Sequence, residues 1–202
     1  MKLRSTFSLP VLVSIVSLTL IGLGGCQVST APVQSQAGTT TTIIIVRHAE
    51  RDPEEFDPPL TEEGEARAEA LADALDENGV TAIFTSAFIR NRQTCDVLAD
   101  RLGIVVEEYS QAEVAITKTW ADGFVNNVLQ NHAGGTVLWV GNTGPIIEGV
   151  QSGNLQELYM RLGGTGRAPT RYQDIYTATI PEEGPVRFVK AEYGGESSLD
   201  AN

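Results

Sequence analysis

Arg47, His48 and Glu50 are the residues of this chain whose types and spacing first suggest chemistry, and they directly follow the run Ile43-Ile44-Ile45-Val46. An imidazole can attack an electrophile or carry a proton, and a neighbouring guanidinium can hold an anion through paired donors. A tight run of β-branched apolar residues suits a strand buried on both faces, as in a parallel sheet. In open α/β sheets ligands bind beyond the carboxyl ends of the strands, which is where Arg47 and His48 would emerge. On their own these residues also fit the solvated start of a loop, so the elements around them have to decide.

Those elements alternate. An acidic loop with prolines, 51–59, leads to a helix opened at Thr61, whose hydroxyl can accept a free amide of the first turn. Glu62 and Glu63 favour the positive end of its dipole; Ala68, Leu71, Ala74 and Leu75 recur at helical spacing, and Asn78-Gly79 ends it. The pattern then predicts a strand over 80–85, a helix over 88–102 stopped by Gly103, a strand over 104–106, a long helix over 114–130 and a strand over 136–140. Gly141 to Pro145 should turn into another helix, with Pro145 preset for its first turn. Residues 176–180 and 186–191 read as a closing hairpin. The expected fold class is α/β: a mostly parallel sheet flanked by helices on both faces, with a C-terminal β-hairpin, over residues 43–194. The acidic end, 195–202, reads as a disordered tail. A length of 202 residues with 42% hydrophobic content suits one such domain.

The formal charge of −12 argues against nucleic-acid binding and against docking on anionic headgroups, so a phosphorylated ligand needs a local cationic pocket. The N-terminus reads as a targeting segment. Lys2 and Arg4 precede an uncharged apolar stretch from Leu9 to Leu23, closed by Gly24-Gly25-Cys26. This resembles a bacterial lipoprotein signal, 1–26, with Cys26 as the lipidated residue; an uncleaved single-span anchor is the other reading. Cleavage removes Lys2 and Arg4 and no acid, taking the charge from −12 to −14. Gln27 after the cysteine favours outer-membrane delivery by that resemblance, with the domain on the periplasmic face. Residues 27–42, rich in Ser, Thr, Gln and Ala, read as a flexible tether. With Cys26 lipidated, Cys95 stands alone and reads as a small buried apolar residue on a helix. No His, Cys and carboxylate cluster at metal spacing occurs, so no metal and no cofactor is expected. Trp120 and Trp139 read as packing residues.

Four stretches then fall in one order: VRHAER at 46–51, DPPLTEEGEARAEALADAL at 57–75, TSAFIRNRQT at 85–94 and TVLWVGN at 136–142. With them the chain resembles the histidine phosphatase superfamily, the group that includes phosphoglycerate mutases. The resemblance implies phosphomonoester hydrolysis through a phosphohistidine on His48, with Arg47 and Arg90 holding the phosphoryl oxygens. It implies a supporting role for Glu50 at the substrate pocket and a structural one for Arg92. Glu107 and Glu108 lie where relatives can carry a general acid, and read equally as solvated carboxylates. Asn142, followed by Thr143, stands where the family usually has a second histidine. His132 precedes the strand, near its opposite end, and reads as a helix-end cap. An amide can donate a hydrogen bond to the substrate but supplies no charge, a loss of about 10²–10³ in rate. Turnover should therefore be slow; the alternative is a degenerate member that binds a phosphorylated ligand with little turnover. The expected partner is a small phosphorylated metabolite or a phosphoprotein outside the cytoplasm. A mutase is disfavoured, because the chain is too compact for an enclosing lid.

Overall fold

The computed structural model describes residues 32–53, 56–115 and 117–199. The expected signal segment with Cys26, and the first part of the tether, lie outside the described residues. The elements are β1 (Thr41–Arg47), α1 (Glu62–Leu75), β2 (Val80–Ser86), α2 (Ile89–Leu102), β3 (Val106–Tyr109), α3 (Gln111–Ala115) and α4 (Thr117–Asn131). They continue as β4 (Thr136–Gly141), β5 (Ile146–Ile147), β6 (Val150–Gln151), α5 (Asn154–Arg161), β7 (Asp174–Ile180) and β8 (Arg187–Glu192).

The main sheet has six strands in the order β3-β2-β4-β1-β7-β8. The first four are parallel, and β7 and β8 run antiparallel along the far edge. This is the expected mostly parallel sheet with a C-terminal hairpin. The apolar run of β1 splits by alternation. Ile43 and Ile45 pack with Phe84, Trp139 and the buried faces of α4 and α5. Ile44 and Val46 pack on the other side with Ile83, Leu138 and the buried faces of α1 and α2. Both faces are covered, so no polar alternation is needed along the strand. Trp120 and Trp139 pack against each other with ring centroids 4.4 Å apart, as packing residues should.

Five expectations are corrected. Ile104-Val105 is not strand: Gly103 closes α2 in the left-handed conformation at φ 66°, and the Ile104 amide bonds back to Ala99 O at 2.9 Å. Ile104 packs against α2 as the hydrophobic partner of that helix end, and β3 starts only at Val106. The helical stretch begins earlier than expected, at Gln111 in α3. Ser110 and Glu113 form a reciprocal cap, Glu113 N donating to Ser110 Oγ at 3.2 Å and Ser110 N to Glu113 Oε2 at 2.7 Å. No helix follows Pro145; β5 and β6 form an antiparallel ribbon around Glu148 and Gly149, at φ 51° and 81°, and the helix waits until Asn154. Two consecutive positive φ angles make a hairpin turn whose twist matches its strands. The C-terminal tail is held as far as Leu199: the Ser198 amide bonds to Glu63 Oε1 at 2.8 Å, and Gly195 O accepts from Arg67 at 2.9 Å. Likewise the end of the expected tether is docked, Gln36 Nε2 donating to Leu129 O at 3.0 Å.

α1 opens as read, with the Gly64 amide on Thr61 Oγ1 at 3.2 Å. Its first turn lies hard against the backbone beyond β1. A Cβ at Gly64 would meet Glu50 O at 2.2 Å, a distance that rigid backbone cannot accommodate. Gly64→Ala is therefore expected to destabilise the protein by about 3 kcal/mol, the upper range for overpacking, in urea titrations; a loss below about 0.5 kcal/mol would contradict this packing.

Candidate active site

The carboxyl ends of β1, β4 and β2 are adjacent, and the candidate site is built from the residues just beyond each strand. β1 delivers Arg47 and His48. In register, Arg47 lies opposite Gly141, and the His48 amide donates to Gly141 O at 3.0 Å, extending the ladder one residue past the strand. Gly141 admits no side chain: a Cβ would stand 2.3 Å from Asn154 Oδ1 and 2.4 Å from Trp139 Nε1.

His48 is buried, and its Nδ1 lies 2.7 Å from Ala49 O. A carbonyl oxygen can only accept, so Nδ1 carries the hydrogen and the neutral ring keeps its lone pair at Nε2. Burial pushes the imidazole well below its ordinary value of 6.5, and the positive charges of Arg47, Arg90 and Arg51 push it the same way. The ring is thus neutral and nucleophilic well into the acid range.

Arg47 is positioned by the segment before β7. Its Nη1 donates to Thr170 O at 2.5 Å and its Nη2 to Tyr172 Oη at 3.1 Å, and its Cζ lies 3.9 Å from the Tyr172 ring centroid. Tyr172 also meets the His48 ring edge-on at 5.8 Å. Arg90 is buried in the first turn of α2; its Nη1 donates to Asp57 Oδ1 at 3.1 Å and to Phe56 O at 3.2 Å, and its Cζ lies 4.3 Å from the Phe88 ring centroid. The same Asp57 oxygen accepts the Ile89 amide at 3.0 Å, so one loop carboxylate both caps α2 and holds Arg90. Burial and the charges of Arg51 and Arg47 weaken the hold of Arg90 on its proton, whereas Asp57 and Tyr172 strengthen it. Arg47, Arg51 and Arg90 therefore bear on one another and on His48 as a cationic cluster. Arg51 is the member that sequence reading left out; its position three residues after His48, at the mouth of the loop closed by the Arg51–Leu60 bridge, was the available signal.

Thr94, also unforeseen, ties the two halves together, its Oγ1 accepting the Ala49 amide at 2.9 Å and donating to Arg90 O at 2.7 Å. Glu50 is fully buried, and both of its carboxylate oxygens are taken by Arg67, with contacts of 2.7 and 2.8 Å. It fastens the loop after His48 to α1, and at 0% exposure it meets the protein rather than a substrate. Arg67, deep on α1, read only as part of a family block.

Asn142 sits at the end of β4 in an amide network. Its Nδ2 donates to Asn91 Oδ1 at 3.1 Å, and its Oδ1 accepts from Asn91 Nδ2 and from Ser86 Oγ, both at 2.8 Å. Its backbone amide donates to Asn154 Oδ1 at 2.9 Å. Thr143 comes next, half-buried in the loop. Glu107 is not brought to His48. It lies exposed on the edge strand β3, separated from β1 by β2 and β4, and Glu108 beside it pairs with Arg92 at 3.0 Å. Cys95 is fully buried, and burial pushes its thiol up to about 12, the inert packing residue expected.

A neutral histidine at the ends of parallel strands, under the positive charge of three arginines, is chemically able to take up a phosphoryl group, and residues 43–113 match the histidine phosphatase superfamily, branch 1. Among solved structures, the chain is similar to a mycobacterial glucosyl-3-phosphoglycerate phosphatase, at 17% identity over 77% of this chain and 100% of that one, with a TM-score of 0.53. It is similar to a phosphoglycerate mutase from Bacillus anthracis, at 13% identity over 76% and 93% of the two chains and a TM-score of 0.53. It is also similar to the protein histidine phosphatase SixA complexed with tungstate, at 18% identity over 75% and 96% and a TM-score of 0.50. Identities this low establish a shared fold. No match was found among curated protein sequences.

The depressed imidazole has a consequence for stability. The unfolded chain takes up a proton at His48 near pH 6.5 and the folded chain only at lower pH, so the unfolded state binds more protons between the two. The contribution of His48 is fully present above pH 6.5 and is lost as the pH falls toward the folded value, at up to about 1.4 kcal/mol per pH unit. Urea titrations at pH 7.5 and 5.5 should show this loss in the wild type and a smaller one in His48→Gln; equal losses would contradict it.

Proposed function

We propose that this protein hydrolyses phosphomonoesters through a phosphohistidine on His48. The observation that carries this reading is the buried neutral imidazole, its Nδ1 committed to Ala49 O and its surroundings cationic. In the first step Nε2 bonds to phosphorus as the ester P–O bond breaks, and the leaving oxygen takes a proton. In the second a water oxygen attacks phosphorus, the P–N bond breaks, and phosphate departs. The charge gathered on the equatorial oxygens is met by Arg47, Arg90 and Arg51. Asp57, rather than Glu107, is the carboxylate placed at this pocket. The substrate is a small phosphorylated compound or a phosphoprotein. Cys26 anchors the protein by lipidation to the cell envelope, at the periplasmic face of the outer membrane, with a tether before the domain. Mass spectrometry of membrane-derived protein should find a chain beginning at acylated Cys26; an intact Met1 or an unmodified Cys26 overturns the lipid anchor.

Turnover is slow in this reading, because Asn142 supplies a neutral amide where the family usually places a histidine. The reciprocal pair with Asn91 favours a second reading, a degenerate site that binds a phosphorylated ligand without efficient transfer, since the amide is held in a built network. Turnover of a phosphomonoester panel, beside tungstate-induced stabilisation, separates the two. The first expects slow hydrolysis abolished in His48→Ala, and about tenfold faster hydrolysis in Asn142→His at a cost of about 1–3 kcal/mol for the unpaired Asn91 amide. The second expects stabilisation by tungstate and no turnover. A protein neither stabilised by tungstate nor active on any ester overturns both.

A further inference from the structure

Beside the guanidinium of Arg90 the pocket wall turns apolar. Phe56 leaves 80% of its surface exposed and Ile89 49%, although Phe56 is tied to the site through its carbonyl, which accepts from Arg90 at 3.2 Å. The rings of Phe56 and Phe88 meet edge to face, centroids 6.2 Å apart and planes inclined at 64°, and Phe88 also lies 4.3 Å under the Arg90 Cζ. Phe88 and Ile89, with Asp57 and Gln93, line a pocket of about 290 Å³.

Several polar atoms around that pocket are already engaged by the protein. Asp57 Oδ1 takes the Ile89 amide and Arg90, Gln93 Oε1 takes the Leu60 amide at 2.8 Å, and Arg92 and Glu108 pair with each other at 3.0 Å. What the wall offers a ligand is ring faces and edges and an isoleucine. A sugar or glycerol moiety laid on the rings of Phe56 and Phe88 or on Ile89 would lose water without gaining hydrogen bonds from them. A flat apolar group would bury the exposed Phe56 ring and complete the aromatic cluster.

We infer that this wall is the subsite for the organic part of the substrate, and that the substrate is an aryl phosphomonoester whose ring packs on Phe56 and Phe88 while Arg90 holds its phosphoryl group. The inference rests on the phosphatase reading of the site. It is independent of catalytic speed, because Phe56 and Ile89 do not touch the imidazole.

Aryl esters also break faster for reasons of leaving-group chemistry, so binding is the cleaner test. Phenylphosphonate and methylphosphonate carry the same charged head and no ester bond, and calorimetry on the full chain measures both. Phenylphosphonate should bind roughly fivefold to tenfold more tightly, and Phe56→Ala, at an exposed position, should bring the ratio below about two, read beside inorganic phosphate in the same variant. Equal affinities in the wild type, or a ratio unmoved by Phe56→Ala, overturn the inference and leave the phosphatase reading standing. Failure of both phosphonates and of phosphate to bind takes down both. Phosphate release from phenyl phosphate or from a phosphotyrosyl peptide then tells a free aryl ester from a protein side chain as the source. Release from neither, with glycerol phosphate hydrolysed, overturns the subsite.

Discussion

Glu50 and Arg67 form an ion pair at the centre of the molecule, with side chains exposed by 0% and 4%, and the geometry of the site depends on it. Two charges held out of water are stable only together; removing one partner of such a pair typically costs about 3–5 kcal/mol, because the other is left uncompensated. The pair fixes the backbone just beyond His48 against α1, where Gly64 permits contact and Glu50 O accepts the Thr61 amide at 3.0 Å. Arg67 extends the same linkage to Tyr193 O and Gly195 O, so the segment after β8 is fastened to the loop that carries His48. Burial raises the Tyr193 phenol beyond the usual tyrosine range, another sign of how little water reaches this junction.

Around that fixed point the protein sustains an electrostatic arrangement that would not form spontaneously. Like charges are gathered about an imidazole that is itself kept uncharged. The repulsion is offset by neutral acceptors, ring faces and one carboxylate: Thr170 O and Tyr172 for Arg47, Phe56 O, Phe88 and the carboxylate of Asp57 for Arg90. A chain of formal charge −12 has thus concentrated cations at one sheet end. An anion arriving there relieves the repulsion, and the local field opposes the repulsion of the acidic surface.

How far this was legible in the sequence depended on the range of the interaction. The doubly buried strand, the Thr61 cap and the closing hairpin are local patterns, and each stands where the residues placed it. The third strand was misplaced because Ile104 serves a helix end rather than a sheet, and an apolar residue after a glycine can do either. The ribbon at 146–151 was hidden because Glu148 takes a positive φ that glutamate seldom adopts. At the site, Arg47 and His48 are given directly by the strand end, and Arg90 only by the family pattern. Asp57, Thr94 and Tyr172 come together through packing between elements apart in the chain, for which one sequence carries no signal, whereas Arg51 stood close to His48 and was passed over. Glu107 failed for the same reason, since sheet order set it on the edge strand β3, with β2 and β4 between it and β1.

The reciprocal amide pair of Asn91 and Asn142 bears on how such a site could change over generations. With two side chains each donating to and accepting from the other, and Ser86 and Asn154 fitted around them, neither asparagine can be exchanged without stranding a neighbour. A lineage with this arrangement is entrenched: a path to any other side chain at position 142 passes through a less stable intermediate unless position 91 changes in company. The two positions should consequently covary among relatives, drifting as a pair where the amide is kept and parting together where it is not.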